Sequence, residues 1–464
     1  MKKQLLALWL GIALLFGYGA ESTAATVTGT VWTWGYNSSG QLGNGTVSQT
    51  PQPNPAAISG VSSVVAVTGG LYHSLAAKAD GTVWAWGKNN TGQVGDGTGI
   101  NQSTPVQVIG LTGVIAAAAG FEHSLALKAD GTVWSWGKNY FGQLGDGTGI
   151  NQSTPVQISG LAGITAIAAG DDFSLAVKSD GTVWAWGQNN VGQLGNNIST
   201  YELTPVQING LAGVIAVAGG FGHGLALKSD GTVWAWGENR YGKLGDGSNT
   251  NQPTPIQVHD LADPSGYLTG IIAIAAGEEH SLAAKADGTV RAWGNGYNGQ
   301  LGDGSTTERW TPVQVSGLTG VVALTAGAGA YHSRALKSDG AIWAWGRNQY
   351  AELGDGTLTQ RLTAVQVINL SNAGGVGAMG GGSDHGLAII RPYIDLIASA
   401  LNVTLSGNNL VIEDAVSNQG TGDSTVPFTT SYYLSSNTLY DTSDILLCSR
   451  NISALAVGVT NTAS

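Results

Sequence analysis

Short bursts of alternating apolar residues, separated by glycine-rich polar turns, run through most of the chain. A representative stretch is Leu125-Ala-Leu-Lys, then Asp130-Gly131, then Thr132-Val-Trp-Ser-Trp. An apolar period of two marks half-buried strands. Asp-Gly between two such runs marks a tight hairpin, because both turn residues accept positive φ. A small-residue apolar run such as Gly113–Gly120 comes before each hairpin, and a Thr-Pro-Val-Gln-Val segment such as Thr104–Val108 comes before that run. No segment keeps a 3.6-residue apolar period with helix caps, so the prediction is four short strands per unit and no helices.

The unit repeats. Trp-x-Trp-Gly ends at Gly35, Gly87, Gly137, Gly187, Gly237, Gly294 and Gly346, with Arg291 replacing one first tryptophan. The intervals are 52, 50, 50, 50, 57 and 52 residues, the long one owing to extra residues around Asp260–Leu268. Four-stranded units of this length predict propeller blades. The first Trp-Gly element has no Gly-x-x-His strand before it, and the last such strand, Gly382–Ile390, has no Trp-Gly element after it. The two halves complete one blade. The fold class is therefore all-β, a seven-bladed β-propeller over residues 26–391, closed by the N-terminal strand so that no sheet edge is left open.

Gly-x-x-His-Ser-Leu-Ala-Leu-Lys, Asp-Gly-x-Val-Trp-x-Trp-Gly and Gly-Gln-Leu-Gly-Asp-Gly together resemble the regulator of chromosome condensation repeat family, in all seven units. The resemblance implies a seven-bladed propeller that binds other proteins. Family members include an exchange factor for a small GTPase and secreted bacterial inhibitors of β-lactamases. Residues 392–464 lack the repeat. Asp395-Leu-Ile, Leu410-Val-Ile, Val416-Ser-Asn-Gln-Gly, Phe428 to Leu434 and Leu446-Leu-Cys-Ser-Arg read as strands of a partial β-sandwich, similar to a bacterial cell-adhesion-related domain with an immunoglobulin-like fold. At the other end, Lys2-Lys3, an apolar run from Leu5 to Phe16 and Ser22-Thr23-Ala24 have the three parts of a signal peptide over residues 1–25, too short to span a bilayer. The expectation is a bacterial protein that is exported to the periplasm, the cell surface or the medium, soluble and monomeric.

Composition narrows the chemistry. Nineteen basic against 30 acidic residues give a net charge of −11, and no basic run follows Lys3, so phosphate neutralisation on nucleic acid has no footprint. One cysteine, Cys448, excludes an internal disulfide and a cysteine-based zinc site. Gly237–Leu244 imitates a phosphate loop, but Leu244 stands where Mg²⁺ needs a hydroxyl, and the segment recurs as a turn in every blade. No catalytic motif is present, and neither a metal nor another cofactor is expected.

His73, His123, His223, His280, His332 and His385 share one slot in six units, with Phe173 in the seventh. Copying around a ring points to structure: a half-buried imidazole holding a backbone group in each blade. The paired tryptophans are expected to fill the gaps between blades, and Arg291 to mark a wetter contact.

Positions that the fold requires repeat, whereas positions that recognise a partner vary. Two places vary between constant flanks. One is the pair before each histidine slot: Leu71-Tyr72, Phe121-Glu122, Asp171-Asp172, Phe221-Gly222, Glu278-Glu279, Ala330-Tyr331 and Ser383-Asp384. The candidate protein-binding residues are Tyr72, Phe121, Glu122, Asp171, Asp172, Phe221, Glu278, Glu279, Tyr331 and Asp384. Aromatics beside carboxylates make interface hot spots and favour a basic partner. The second variable place follows Trp-Gly (Tyr36, Asn139-Tyr140-Phe141, Arg240-Tyr241, Tyr297 and Tyr350) and is expected on the opposite rim. The leading expectation is an exported, non-enzymatic protein-binding or adhesion scaffold. The alternatives are an inhibitor of a secreted or periplasmic enzyme of the β-lactamase kind, a nucleotide-exchange regulator, and a polysaccharide-active enzyme.

Overall fold

The computed structural model describes residues 29–327, 329–370, 376–390, 396–406, 409–418, 428–434, 445–452 and 460–463. Seven four-stranded antiparallel sheets form the propeller. Six are contiguous, over residues 64–107, 114–157, 164–208, 214–257, 271–314 and 321–366. The seventh combines Val376–Gly381 and His385–Ile390 with Thr30–Asn37 and Ser48–Ala57. Thr30 pairs with Ile390 and Gly35 with His385 in one unbroken register, so the predicted ring closure is present.

Within each blade the innermost strand is made of small residues. Ala118, Ala168, Ala218, Ala275 and their neighbours line an axial cavity of about 80 Å³, too narrow for more than a few waters. At the hairpin between the second and third strands, Asp80 accepts hydrogen bonds from the Thr82 N–H (2.9 Å) and hydroxyl (2.6 Å). Gly81 follows with φ of +78°, and a Cβ there would lie 2.7 Å from the nitrogen of Gly113, so glycine is required on two counts. Asp130, Asp180, Asp230 and Asp287 build the same turn.

The blades are joined by a repeated polar latch inside an apolar seam. The second tryptophan of every pair is wholly buried. Its indole donates to a backbone carbonyl of the preceding unit, as in Trp136 to Gln93 (2.9 Å). The same carbonyl accepts from the Ser124 hydroxyl (2.9 Å). That hydroxyl, having given its proton, accepts from His73 Nε2 (3.0 Å). Donor logic therefore assigns a neutral, Nε2-protonated imidazole. His123–Ser174, His223–Ser281, His280–Ser333 and His385–Ser74 repeat the latch. Two junctions lack it. Where Phe173 replaces histidine, Gly224 stands in the serine slot of the next blade, and beyond His332 that slot holds Gly386. In both, tryptophan has closed onto the glycine: a Cβ would lie 2.4 Å from Trp236 and 2.2 Å from Trp34.

Two expectations change here. The six histidines are fully rather than half buried, and all but His332 reach a serine hydroxyl of the next unit, which carries the bond on to a backbone carbonyl. Only the second tryptophan is a wholly buried filler; the first is partly buried, in five units beneath a lysine, as with Lys178 over Trp184. Arg291 pairs with the buried Asp260 (3.4 Å), within the extra residues, and donates to Gln314 (3.0 Å), so the contact is polar.

Beyond the propeller, Leu396–Ser406 pairs with Asn409–Asn418, which pairs with Thr460–Ala463. Phe428–Leu434 pairs separately with Ile445–Ile452. The strands are present, but these two ladders do not make an immunoglobulin-like sandwich among the described residues, and that expectation is corrected. Alternation specifies a strand and its turn; it does not specify which sheets pack. The leader expected over residues 1–25 lies outside the described residues.

Candidate functional site: the channel mouth

Hairpin topology decides which loops share a face. The second strand begins at histidine and the third ends at Trp-Gly, so both variable places lie at the open end of the same hairpin. The expectation of opposite rims is corrected by direct bonds between them. The N–H after each Trp-Gly donates to the carbonyl before each histidine: Tyr36 to Asp384 (2.9 Å), Lys88 to Tyr72 (2.8 Å), Lys138 to Glu122 (2.9 Å) and Arg347 to Tyr331 (3.0 Å).

The loops also bond to one another around the channel. Leu71 donates to Phe121 (3.0 Å), Phe121 to Asp171 (3.1 Å), Asp171 to Gly220 (3.1 Å), Glu278 to Ala330 (3.0 Å) and Ser383 to Gly70 (3.3 Å). The first residue of each variable pair thus forms an inner ring at the mouth, and the second an outer ring against the post-Trp-Gly residues. The Phe121 ring reaches Gly329 of the sixth blade, where a Cβ would sit 3.3 Å from it.

In the outer ring the carboxylates are paired. Glu122 meets Lys88 (2.5 Å), Asp172 meets Lys138 (3.0 Å), Glu279 meets Lys243 (2.5 Å), and Asp384 meets Arg347. Aromatics lie over the same cations: Tyr72 near Lys88 (5.7 Å), Phe221 near Lys243 (5.9 Å) and Tyr331 near Arg347 (5.0 Å). Phe221 is 38% exposed, the most open aromatic among the candidates. Sequence reasoning missed these bases. The signal was available, since Lys88, Lys138 and Arg347 directly follow Trp-Gly and Lys243 takes the glutamine slot of Gly-Gln-Leu-Gly. Lys243, the residue that imitated a phosphate-loop lysine, is wholly buried between Glu238 and Glu279.

Two acids have no base. Glu278 accepts the Tyr331 hydroxyl (2.5 Å), and Asp171 has one carboxylate oxygen without a partner among the described residues. Burial raises both carboxyls above their ordinary range. Asp171 is pushed up to about 8, first by burial and next by Asp172, with Lys138 opposing and Glu278 and Glu122 adding. Burial likewise lifts Asp172, Glu279 and Asp384, against the pull of their cations. Tyr72 is raised to about 12, by burial and then by Asp384. Among the described residues no three His, Cys, Asp or Glu side chains are grouped to hold a metal, and no helix is long and apolar enough to cross a membrane.

The RCC1-like domain family model matches residues 12–328, and models of the regulator of chromosome condensation (RCC1) repeat match residues 322–352 and 339–389. The chain is 38% identical over 96 residues to the ultraviolet-B receptor UVR8 of Arabidopsis thaliana, covering 21% of this chain and 22% of the receptor. It is 35% identical over 148 residues to the probable E3 ubiquitin-protein ligase HERC6 of Homo sapiens, covering 30% of this chain and 14% of the ligase. The matches thus span less than a quarter of either relative. The structure of Prp20p from Saccharomyces cerevisiae, described with its binding to Gsp1p and histones, superposes with a TM-score of 0.71 at 24% identity, covering 79% of this chain and 92% of Prp20p.

These relatives are eukaryotic proteins of the nucleus and cytoplasm, which overturns the expectations of a bacterial origin, a signal peptide, export, adhesion and inhibition of a secreted enzyme. RCC1-type propellers act as non-catalytic regulators and scaffolds that bind partner proteins. The match across more than half of its length places the chain in the RCC1-like domain family.

Proposed function

We propose that this chain is a non-catalytic regulatory scaffold that docks a partner protein on the channel-mouth face of its propeller. The observation that carries the reading is the coincidence of both variable residue sets on one face, above blades that are otherwise near copies. A face made of half-buried aromatics stacked beside ion pairs, with a polar rim, has the make-up of a protein hot spot. The first partner class to try is a small GTPase, because Prp20p binds Gsp1p. Unpaired acids at the inner ring favour a basic patch on that partner.

The test is capture from a soluble cell extract with the full chain, beside a variant carrying Tyr72→Ala, Phe221→Ala and Tyr331→Ala. A control carries Ala129→Arg and Ala286→Arg, exposed positions beside the hairpin turns. The expected result is a protein retained by wild type and control and lost by the folded mouth variant. Retention by the mouth variant with loss by the control would transfer the function to the hairpin face.

A further inference from the structure

The inner ring is unbalanced in charge. Every outer-ring acid has its own cation, yet Asp171 and Glu278, both first in their pairs, have none. Lys138, the base whose charge acts on Asp171, is committed to Asp172 at 3.0 Å. Asp171 is only 7% exposed, and one of its oxygens lacks any hydrogen-bond partner among the described residues. Buried polar atoms are almost always bonded, and an orphan carboxylate oxygen is costly to keep. Asp171 feels Glu278 and Glu122 as well as its neighbour Asp172, so its carboxyl sits in the acidic field of the mouth. Its loop bonds to that of Phe121 on one side and, through Gly220, to that of Phe221 on the other.

We propose that the mouth holds an anchor pocket for one basic side chain, lysine or arginine, of the docking partner, with Asp171 and Glu278 as its carboxylates and Phe121 and Phe221 as its aromatic walls. A guanidinium or ammonium group at the mouth compensates both acids and gains from the ring faces at once, while the orphan oxygen itself is closed to solvent. This assignment rests on the docking reading above and narrows it to one residue type at one place.

The probe is acetyl-Gly-Arg-Gly-amide, titrated calorimetrically into the full chain beside its lysine counterpart and its uncharged citrulline counterpart. The expected result is saturable binding of the arginine or lysine peptide and none of the citrulline peptide. Affinity should fall at least tenfold in Asp171→Asn and also in Phe221→Ala. Asp171→Asn should melt at a higher temperature than wild type, because it removes a carboxylate the fold leaves uncompensated. Equal binding of charged and citrulline peptides, no binding of either charged peptide, unchanged affinity in Asp171→Asn, or a lowered melting temperature of that variant would each overturn the pocket. A captured partner that is lost with Tyr72→Ala and Tyr331→Ala but kept with Asp171→Asn would remove the anchor and leave the docking face standing.

Discussion

Carboxyl groups at the two ends of the propeller are driven in opposite directions. At the hairpin end, Asp130, Asp180, Asp230 and Asp287 are lowered, each held down by the hydroxyl and N–H of the threonine two residues on. At the mouth, Asp171, Asp172, Glu278, Glu279 and Asp384 are all raised, each chiefly by burial. One end is built from identical turns that satisfy themselves. The other end varies and keeps carboxyls whose charged form the fold disfavours. Perturbed carboxyls gathered on a varied face are what a binding surface presents, whereas satisfied, repeated ones are scaffold.

The mouth end also contains the buried histidines, and these carry the largest expected effect. His73, His123, His280 and His385 are held at about 3 by burial, against 6.5 when unfolded. Between these values the unfolded chain binds more protons at each histidine, so the histidine share of stability falls as pH drops from 6.5 toward 3, by up to about 1.4 kcal/mol per pH unit per histidine, partly offset by the raised mouth carboxyls. Urea unfolding at pH 7, 6 and 5 measures the slope. Copying the natural Phe173–Gly224 pair as His123→Phe with Ser174→Gly should reduce it by one proton.

Next in size is Lys138→Met. It strands Asp172, whose side chain is 9% exposed, beside Asp171. The expected loss is about 3 kcal/mol near neutral pH, read from the same unfolding curves. Asp171→Asn sharpens the contrast with the opposite sign. Its gain should be about 1–3 kcal/mol at pH 8 and above, where wild type must bury the charge. The gain shrinks on acidification and vanishes below about 4, where the carboxyl is protonated in both states. Smallest of all is Asp130→Ala at the hairpin end. It should lower the melting temperature less than Lys138→Met and leave partner binding unchanged, by calorimetry and capture respectively.

Much of this was legible in the sequence because repetition exposes what the fold demands. The period of two, the Asp-Gly turns and the incomplete first and last units gave the blades and the closure between Thr30 and Ile390. The histidine latch was only half legible: the copied slot marked structure, but the partner serine follows the histidine of the next blade, and only the packing of neighbouring blades brings the two together. The shared face of both variable sets follows from antiparallel pairing alone and was open to deduction. The ion pairs were not, since Lys138 and Asp172 lie 34 residues apart and meet only across a blade junction. The C-terminal region was read as strands, but two of the segments form the single strand Asn409–Asn418, Thr460–Ala463 was missed, and the assembly depended on sheet packing that alternation does not encode. The leader and export readings came from local composition, and the nuclear and cytoplasmic relatives contradict them.

The most direct test of a docking mouth is hydrogen–deuterium exchange on the full chain with and without its captured partner. The account predicts new protection in the loops at 70–73, 120–123, 170–173, 220–223 and 277–280 and in the residues after Trp-Gly, with the Asp-Gly hairpins unchanged. Protection confined to those hairpins or to the outer strands, with the mouth loops exchanging as before, would contradict it.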